Sequence, residues 1–255
     1  MTKENFFKTE AELCAAFVAA LPAGWTAYAE TAGYDILLVR ADGVQVGVEA
    51  KLRLNAEVVV QAAKEWGHHP HAEGPDFCAA LVPAGHVQNH MAAICAMLGI
   101  TVITVAHPDD QTEERYGWRS PPFRPDLPNL DSRMYWSGRE HDWYDRCPAS
   151  RCGLPEYVPD VGAGHSAPVA LTNWKIQAIK LLIIMERRGF VTKGDFKHVK
   201  IDPSRWTRDW LERGASRGQF ITGRYTPDLK AQHPVNWAQI EADFDKWKPA
   251  DEVLA

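Results

Sequence analysis

Long apolar runs are missing from this sequence: none approaches the roughly 18 consecutive apolar residues that a membrane-spanning helix needs. The N-terminal stretch MTKENFFKTEAEL has no apolar core of the kind a secretory leader carries. Five cysteines, an odd number at irregular spacing, exclude the disulfide framework of a small secreted domain. There is no overall basic charge either. With 28 Lys+Arg against 33 Asp+Glu the formal net charge is −5, which argues against a protein that simply coats nucleic acid but leaves room for a local basic patch. Internal repeats and low-complexity runs are also lacking. The expectation is a cytoplasmic, reduced protein with no membrane partner.

What is present is an ordinary globular composition, 45% hydrophobic and 24% charged, over 255 residues. That length holds one or two domains with real cores. Tryptophan is plentiful, with 10 in all and most of them after residue 110, so the two halves differ in character.

The first half, residues 1–106, reads as an α/β unit. Thr9 and Glu12 form a T-x-x-E capping box ahead of a helix that Pro22 and Gly24 stop. Strands follow at Trp25–Glu30 and Tyr34–Arg40; a turn at Ala41-Asp42-Gly43 returns the chain along Val44–Leu52. A helix from Asn55 to Trp66, a strand at Phe77–Val82, a helix at His86–Leu98 and a strand at Ile100–Val105 complete the order α-β-β-β-α-β-α-β, a mixed sheet with helices on its faces. Residues 107–168, rich in Pro, Arg, Asp and aromatics, read as a connector.

Residues 169–255 return to helix. Thr172 opens a helix that Gly189 closes, Thr192 and Asp195 start a second, and Asp202-Pro203 places a cap and an N1 proline before a third, SRWTRDWLERG. GQFITGRY, from Gly218, has the character of a β-wing, and Asn236–Trp247 of a terminal helix. Three short helices and a hairpin suggest a winged helix-turn-helix. Charge is segregated: Val169–Arg224 holds twelve Lys/Arg and five Asp/Glu, net +7, whereas Met1–Val105 holds six and eleven, net −5.

The chemistry-bearing residues are Glu30, Asp35, Glu49 and Lys51. The turn at Asp42-Gly43 brings the start of one strand, with Asp35, against the end of the next, with Glu49 and Lys51. Two residues apart in a strand, Glu49 and Lys51 leave the same face, and Ala50 the other. Charges at the end of an apolar hairpin are costly unless they bind something. Carboxylate oxygens suit Mg²⁺ or Mn²⁺, and a lysine beside such an ion can orient a water or stabilise charge on a phosphate. The competing reading is an ion-pair ladder on a solvated hairpin, which flanking strands apolar on both faces disfavour.

GYDILLV (Gly33–Val39), VEAKLRLN (Val48–Asn55) and Gln61 together resemble the PD-(D/E)XK nuclease superfamily, the restriction-endonuclease-like fold, over about residues 9–105. The family's aspartate falls on Asp35, its E-x-K on Glu49-Ala50-Lys51 and its frequent upstream acid on Glu30. Tyr34 stands where the family often has proline. The resemblance implies a mixed-sheet α/β core that hydrolyses DNA phosphodiesters with Mg²⁺ held by Asp35, Glu49 and the Ala50 carbonyl. Lys51 positions the attacking water, and Glu30 and Gln61 support. A homodimer fits, because double-strand cutting by this fold often takes two sites. The appended winged-helix-like, mostly helical part is similar in layout to modules on phosphodiesterases encoded by bacteria and their phages.

Arg53 shares strand parity with Glu49 and Lys51 and is a candidate phosphate contact, as are Lys193, Lys197, Lys200, Arg205 and Arg208 in the basic module. Asn55 reads as a helix cap, and Trp206 and Trp210, four apart, as anchors of the third helix. Cys147 and Cys152 approach a zinc spacing, with His141 and His165 available, but no second Cys pair follows. His68, His69 and His71 read as loop residues, and Cys14, Cys78 and Cys95 as core. Two other functions fit the same sequence. One is a non-catalytic DNA-binding regulator that uses the winged helix; the other is a phage protein that acts on a host protein through the connector.

Overall fold

The computed structural model describes residues 6–63, 73–106, 121–128, 143–164 and 170–249. The chain divides into two compact units. One is Met1–Leu154 with Gly162–Pro168; the other is Pro155–Val161 with Val169–Ala255. The first is a mixed α/β region and the second is largely helical.

In the first unit, Thr9 caps α1 (Glu10–Ala19), its Oγ accepting from the Glu12 amide at 3.1 Å, while the Glu12 carboxylate accepts from the Lys8 amide. Helix α1 buries Leu13, Cys14 and Phe17 against the sheet. Strands β1 (Trp25–Thr31), β2 (Tyr34–Arg40) and β3 (Gln45–Ala50) form an antiparallel meander. The second hairpin closes where expected: the Gly43 amide donates to the Arg40 carbonyl at 2.8 Å, and Gly43 takes φ +89°, a conformation open to glycine. After α2 (Ala56–Ala63), strand β4 (Phe77–Pro83) joins β3 in parallel; after α3 (Asn89–Met97), β5 (Ile100–Val105) joins β4 in parallel. Parallel neighbours need such helical crossovers. The sheet order is β1-β2-β3-β4-β5-β6.

Every residue of β3 and β4 is buried, as befits central strands covered on both faces. Val58, Val59 and Ala62 of α2 pack with Ala80, Val82, Cys95 and Ile100. The Tyr34 ring lies over Gly47 so closely that a Cβ there would come within 2.5 Å of it. The Tyr34 ring therefore fills a space that glycine at position 47 leaves open.

Several details differ from the sequence expectations. The pairing of β3 ends at Ala50, so Lys51, Leu52 and Arg53 lie beyond the strand. The strand-parity argument for Arg53 therefore does not hold. Strand β6 (Phe123–Arg124) was unexpected; it pairs antiparallel with β5, and the Phe123 ring meets Phe17 edge-on at 4.9 Å. The segment 143–154 is fastened to the first unit by backbone and side chain together. Gln45 donates to and accepts from the Cys152 backbone at 3.0 and 2.9 Å, and Arg151 pairs with Asp76. The expected end of the second helix at Trp66 and the His68, His69 and His71 loop lie outside the described residues.

In the second unit, α4 (Asn173–Arg188) has Thr172 as N-cap and Gly189, at φ +84°, as the left-handed C-terminal residue. It buries Ile176, Ala178, Ile179 and the run Leu181–Met185. Strand β7 (Val191–Thr192) leads into α5 (Lys193–His198), whose capping box pairs Thr192 with Asp195. Helix α6 (Pro203–Arg205) begins under the Asp202 cap and widens into a single π turn over Trp206–Trp210. The expected third helix ends there, because Leu211–Arg213 is strand β8, paired with β9 (Gln219–Thr222). The small sheet runs β7-β9-β8. The expected terminal helix is two: α8 (Pro234–Ala242), after the short α7 (Leu229–Gln232), and α9 (Phe244–Trp247), broken at Asp243. Among the described residues no helix is long and apolar enough to cross a membrane.

Candidate functional site

One step beyond the last paired residues of β2 and β3, Ile36 and Val48, stand Asp35 and Glu49. There the Asp35 carboxylate takes over from the ladder: Oδ2 accepts from the Ala50 amide at 2.8 Å. Oδ1 makes no hydrogen bond among the described residues. Glu49 is 4% exposed, a carboxylate carried into the sheet by a buried strand whose only other polar side chain is Gln45.

Lys51 sits among acids. Its Nζ lies 3.3 Å from Glu10 Oε1 and 3.7 Å from Glu57 Oε1. Partial burial pulls its pKa down, but Glu10, Glu57 and Asp35 outweigh that and hold it above the ordinary lysine value. Glu10 enters from the first turn of α1 and Glu57 from the first turn of α2. Cys14, one turn along α1 from Glu10, reports the same field: burial raises its thiol pKa first, and Asp35, Glu10 and Glu30 raise it further.

Glu30 takes φ +49° in β1, a left-handed conformation that is unfavourable for glutamate. Its Oε1 accepts from the Gly164 amide at 3.0 Å. Glu30 and Asp35 stand at the same end of the β1–β2 hairpin, between the pairs Ala29–Ile36 and Thr31–Tyr34. Gln61 is half-buried on α2, one turn beyond Glu57 on the same helical face. Arg53 is exposed. Asn55 caps α2, its Oδ1 accepting from the Val58 amide at 3.0 Å.

The sequence reading missed Glu10 and Glu57. Acids in the first turn of a helix are favoured by the helix dipole alone, so neither stood out. Only the packing of α1 and α2 on the sheet brings both to Lys51.

Carboxylates of this kind are hard oxygen donors. Asp35, with one oxygen clear of hydrogen bonds from the described residues, and Glu49 suit Mg²⁺ or Mn²⁺, which takes one or two carboxylates and completes its shell with water and substrate oxygens. Among the described residues, no group of three His, Cys, Asp or Glu side chains is gathered as a ready-made metal site. Cys147 is exposed, while Cys14, Cys78, Cys95 and Cys152 are buried; all five are free thiols. His141 and His165, the candidate zinc partners, lie outside the described residues.

In the second unit, Lys193, Lys197, Lys200, Arg205 and Arg208 are all exposed. Trp206 is buried as an anchor, but Trp210 is only half-buried. Compared with protein-family models, curated proteins and solved structures, the chain matches none.

Proposed function

We propose that the first unit is a metal-dependent deoxyribonuclease with a restriction-endonuclease-like core, and that the second is a winged helix that holds the nucleic acid. The observation that carries this reading is that Asp35 and Glu49 stand together one step past the last β2–β3 pair, Asp35 bonded to the Ala50 amide, with Lys51, ion-paired to Glu10, next in the chain. The helix–meander–helix–strand order, with β3 and β4 parallel, supports the core assignment.

Asp35, Glu49 and the Ala50 carbonyl would hold Mg²⁺ or Mn²⁺. Bound there, such an ion supplies charge neutralisation at the phosphate and lowers the pKa of a water. Lys51, kept protonated by its acidic neighbours, donates hydrogen bonds to the attacking water or to a phosphate oxygen, where negative charge grows during hydrolysis. Glu10 positions Lys51, and Glu30 and Gln61 support the surrounding polar field. Cutting both strands with one site per chain calls for two copies, so a homodimer belongs to this reading.

For the second unit, support comes from the order α4-β7-α5-α6-β8-β9 with the sheet arranged β7-β9-β8, the layout of a winged helix. Lys193, Lys197, Lys200, Arg205 and Arg208 then meet phosphates and base edges, with Arg53 as a further phosphate contact from the first unit.

A non-catalytic DNA-binding regulator is the second reading. It is favoured by the ion pairs that already satisfy Lys51 internally. Incubation of the protein with supercoiled plasmid and linear single-stranded DNA in Mg²⁺, Mn²⁺ or EDTA separates the two. Cleavage that EDTA abolishes is the expected result. Salt-sensitive binding with no cleavage in either metal on any substrate would favour the regulator.

A further inference from the structure

We propose that the second unit carries a pocket for an unpaired nucleobase, formed by Trp174, Trp206 and Trp210 and rimmed by Arg205 and Arg208. The proposal deepens the nucleic-acid reading of that unit and rests on it.

The three tryptophans come from two elements. Trp174, in the first turn of α4, is 42% exposed. Trp206 and Trp210 bracket the π turn, a distortion often found at functional sites. Their rings meet edge-on, 5.0 Å apart, and each lies 6.1 Å from Trp174. Together with Asp202, Ser204, Arg205 and Arg208 they line a hollow of about 450 Å³, within the roughly 300–1,000 Å³ range of small-ligand sites. Trp206, at the floor, is 1% exposed, and its Nε1–H has no acceptor among the described residues.

The hollow is held in shape. The Trp210 carbonyl accepts from Thr226 Oγ at 2.7 Å, and Gly223 packs so near that a Cβ there would come within 2.7 Å of that oxygen. The Arg205 guanidinium lies 4.7 Å from the Trp210 ring centroid, leaving its N–H edge for an acceptor. Among the described residues Arg208 pairs only with the neighbouring Asp209, a surface contact that a phosphate can displace at little cost.

The exposed Trp174 ring beside guanidinium groups suits a ligand with both a π face and an anion. A nucleotide has both: its base stacks on tryptophan while its phosphate meets arginine. A quaternary ammonium ligand would meet two cations at the rim, and an apolar peptide would leave them unused. The net charge of +7 over 169–224 draws the same kind of partner.

The test is binding in EDTA, so that hydrolysis plays no part, with a short labelled oligothymidylate and a blunt hairpin duplex as probes. Trp174→Ala is expected to weaken oligothymidylate binding about tenfold while shifting duplex binding less than about twofold, with Trp174→Phe retaining most of the affinity. Tryptophan emission is quenched by the oligothymidylate in the wild type and less so in Trp174→Ala. Unchanged oligothymidylate affinity in Trp174→Ala, or an equal loss on both probes that Trp174→Phe does not rescue, overturns the pocket. If the wild type binds the duplex but not the oligothymidylate, the pocket alone falls. If it binds neither, the nucleic-acid reading of the whole unit falls with it.

Discussion

The two units handle charge in opposite ways. In the first, carboxylates and one lysine are gathered at the end of an apolar sheet, with Glu49 almost fully buried and Lys51 enclosed by acids from two helices. In the second, Lys193, Lys197, Lys200, Arg205 and Arg208 stand in solvent around a core of aliphatic and aromatic side chains. Burying a charge is expensive unless it is compensated, whereas a solvated lysine costs the fold almost nothing. Costly, converging charge is the arrangement chemistry needs; inexpensive, dispersed charge is enough to attract a polyanion. The proposed function assigns site and grip to these separate units, which makes the two separable by mutation.

The sharpest way to break that separation is Asp35→Asn. Asparagine can still accept from the Ala50 amide, so the β2–β3 end keeps its hydrogen bond while the negative charge disappears. Metal-dependent cleavage is expected to fall by about 10²–10³-fold, measured as initial rate on plasmid, with DNA affinity unchanged. Replacing Lys193, Lys197 and Lys200 together by alanine probes the other unit. The slope of log affinity against log salt should flatten by roughly one unit for each lysine that meets a phosphate, read from fluorescence anisotropy titrations. The cleavage rate at saturating DNA should hardly change.

Smaller effects sharpen the same contrast. Thr172 Oγ accepts from the Lys175 amide at the start of α4. Thr172→Ala should cost about 1 kcal/mol in urea unfolding followed through the tryptophans, which are concentrated in the second half. The smallest effect lies at the β2–β3 turn. There the hydrogen bonds from Arg40 lead the causes that lower the Asp42 carboxyl to about 2 from 3.8. A depressed carboxyl pKa stabilises the fold above the unfolded value, and that contribution is lost as pH falls through the folded value. Asp42→Asn should therefore lower the melting temperature slightly at neutral pH, and the difference should vanish as pH drops from about 4 to about 2.

Much of this fold was legible from local signals. Tyr34–Arg40 and Ile100–Val105 appear as strands over the spans expected, because continuous apolar runs bounded by turn residues have few alternatives. The caps at Thr172, Gly189, Thr192 and Asp202 are where the sequence puts them, because capping depends on a few neighbouring residues. Long-range features were not legible. Two residues, Phe123 and Arg124, carry no periodicity from which β6 could be recognised. The π turn at Trp206–Trp210 and the break at Asp243 depend on tertiary packing rather than on propensity. The candidate site divides in the same way. Asp35 and Glu49 lie one step past the register of one hairpin and Lys51 just beyond its last strand, as a short E-x-K spacing allows, whereas Glu10 and Glu57 required the docking of two helices. The strand parity read for Arg53 fails because the strand ends at Ala50, earlier than the apolar neighbours of Arg53 suggest.

Lys51→Ala tests the central claim most directly, assayed for both cleavage and binding in one preparation. The account predicts that Mg²⁺-dependent cleavage is lost, while DNA binding keeps its affinity and its salt dependence. Cleavage at the wild-type rate by Lys51→Ala, or loss of binding in parallel with cleavage, would contradict it.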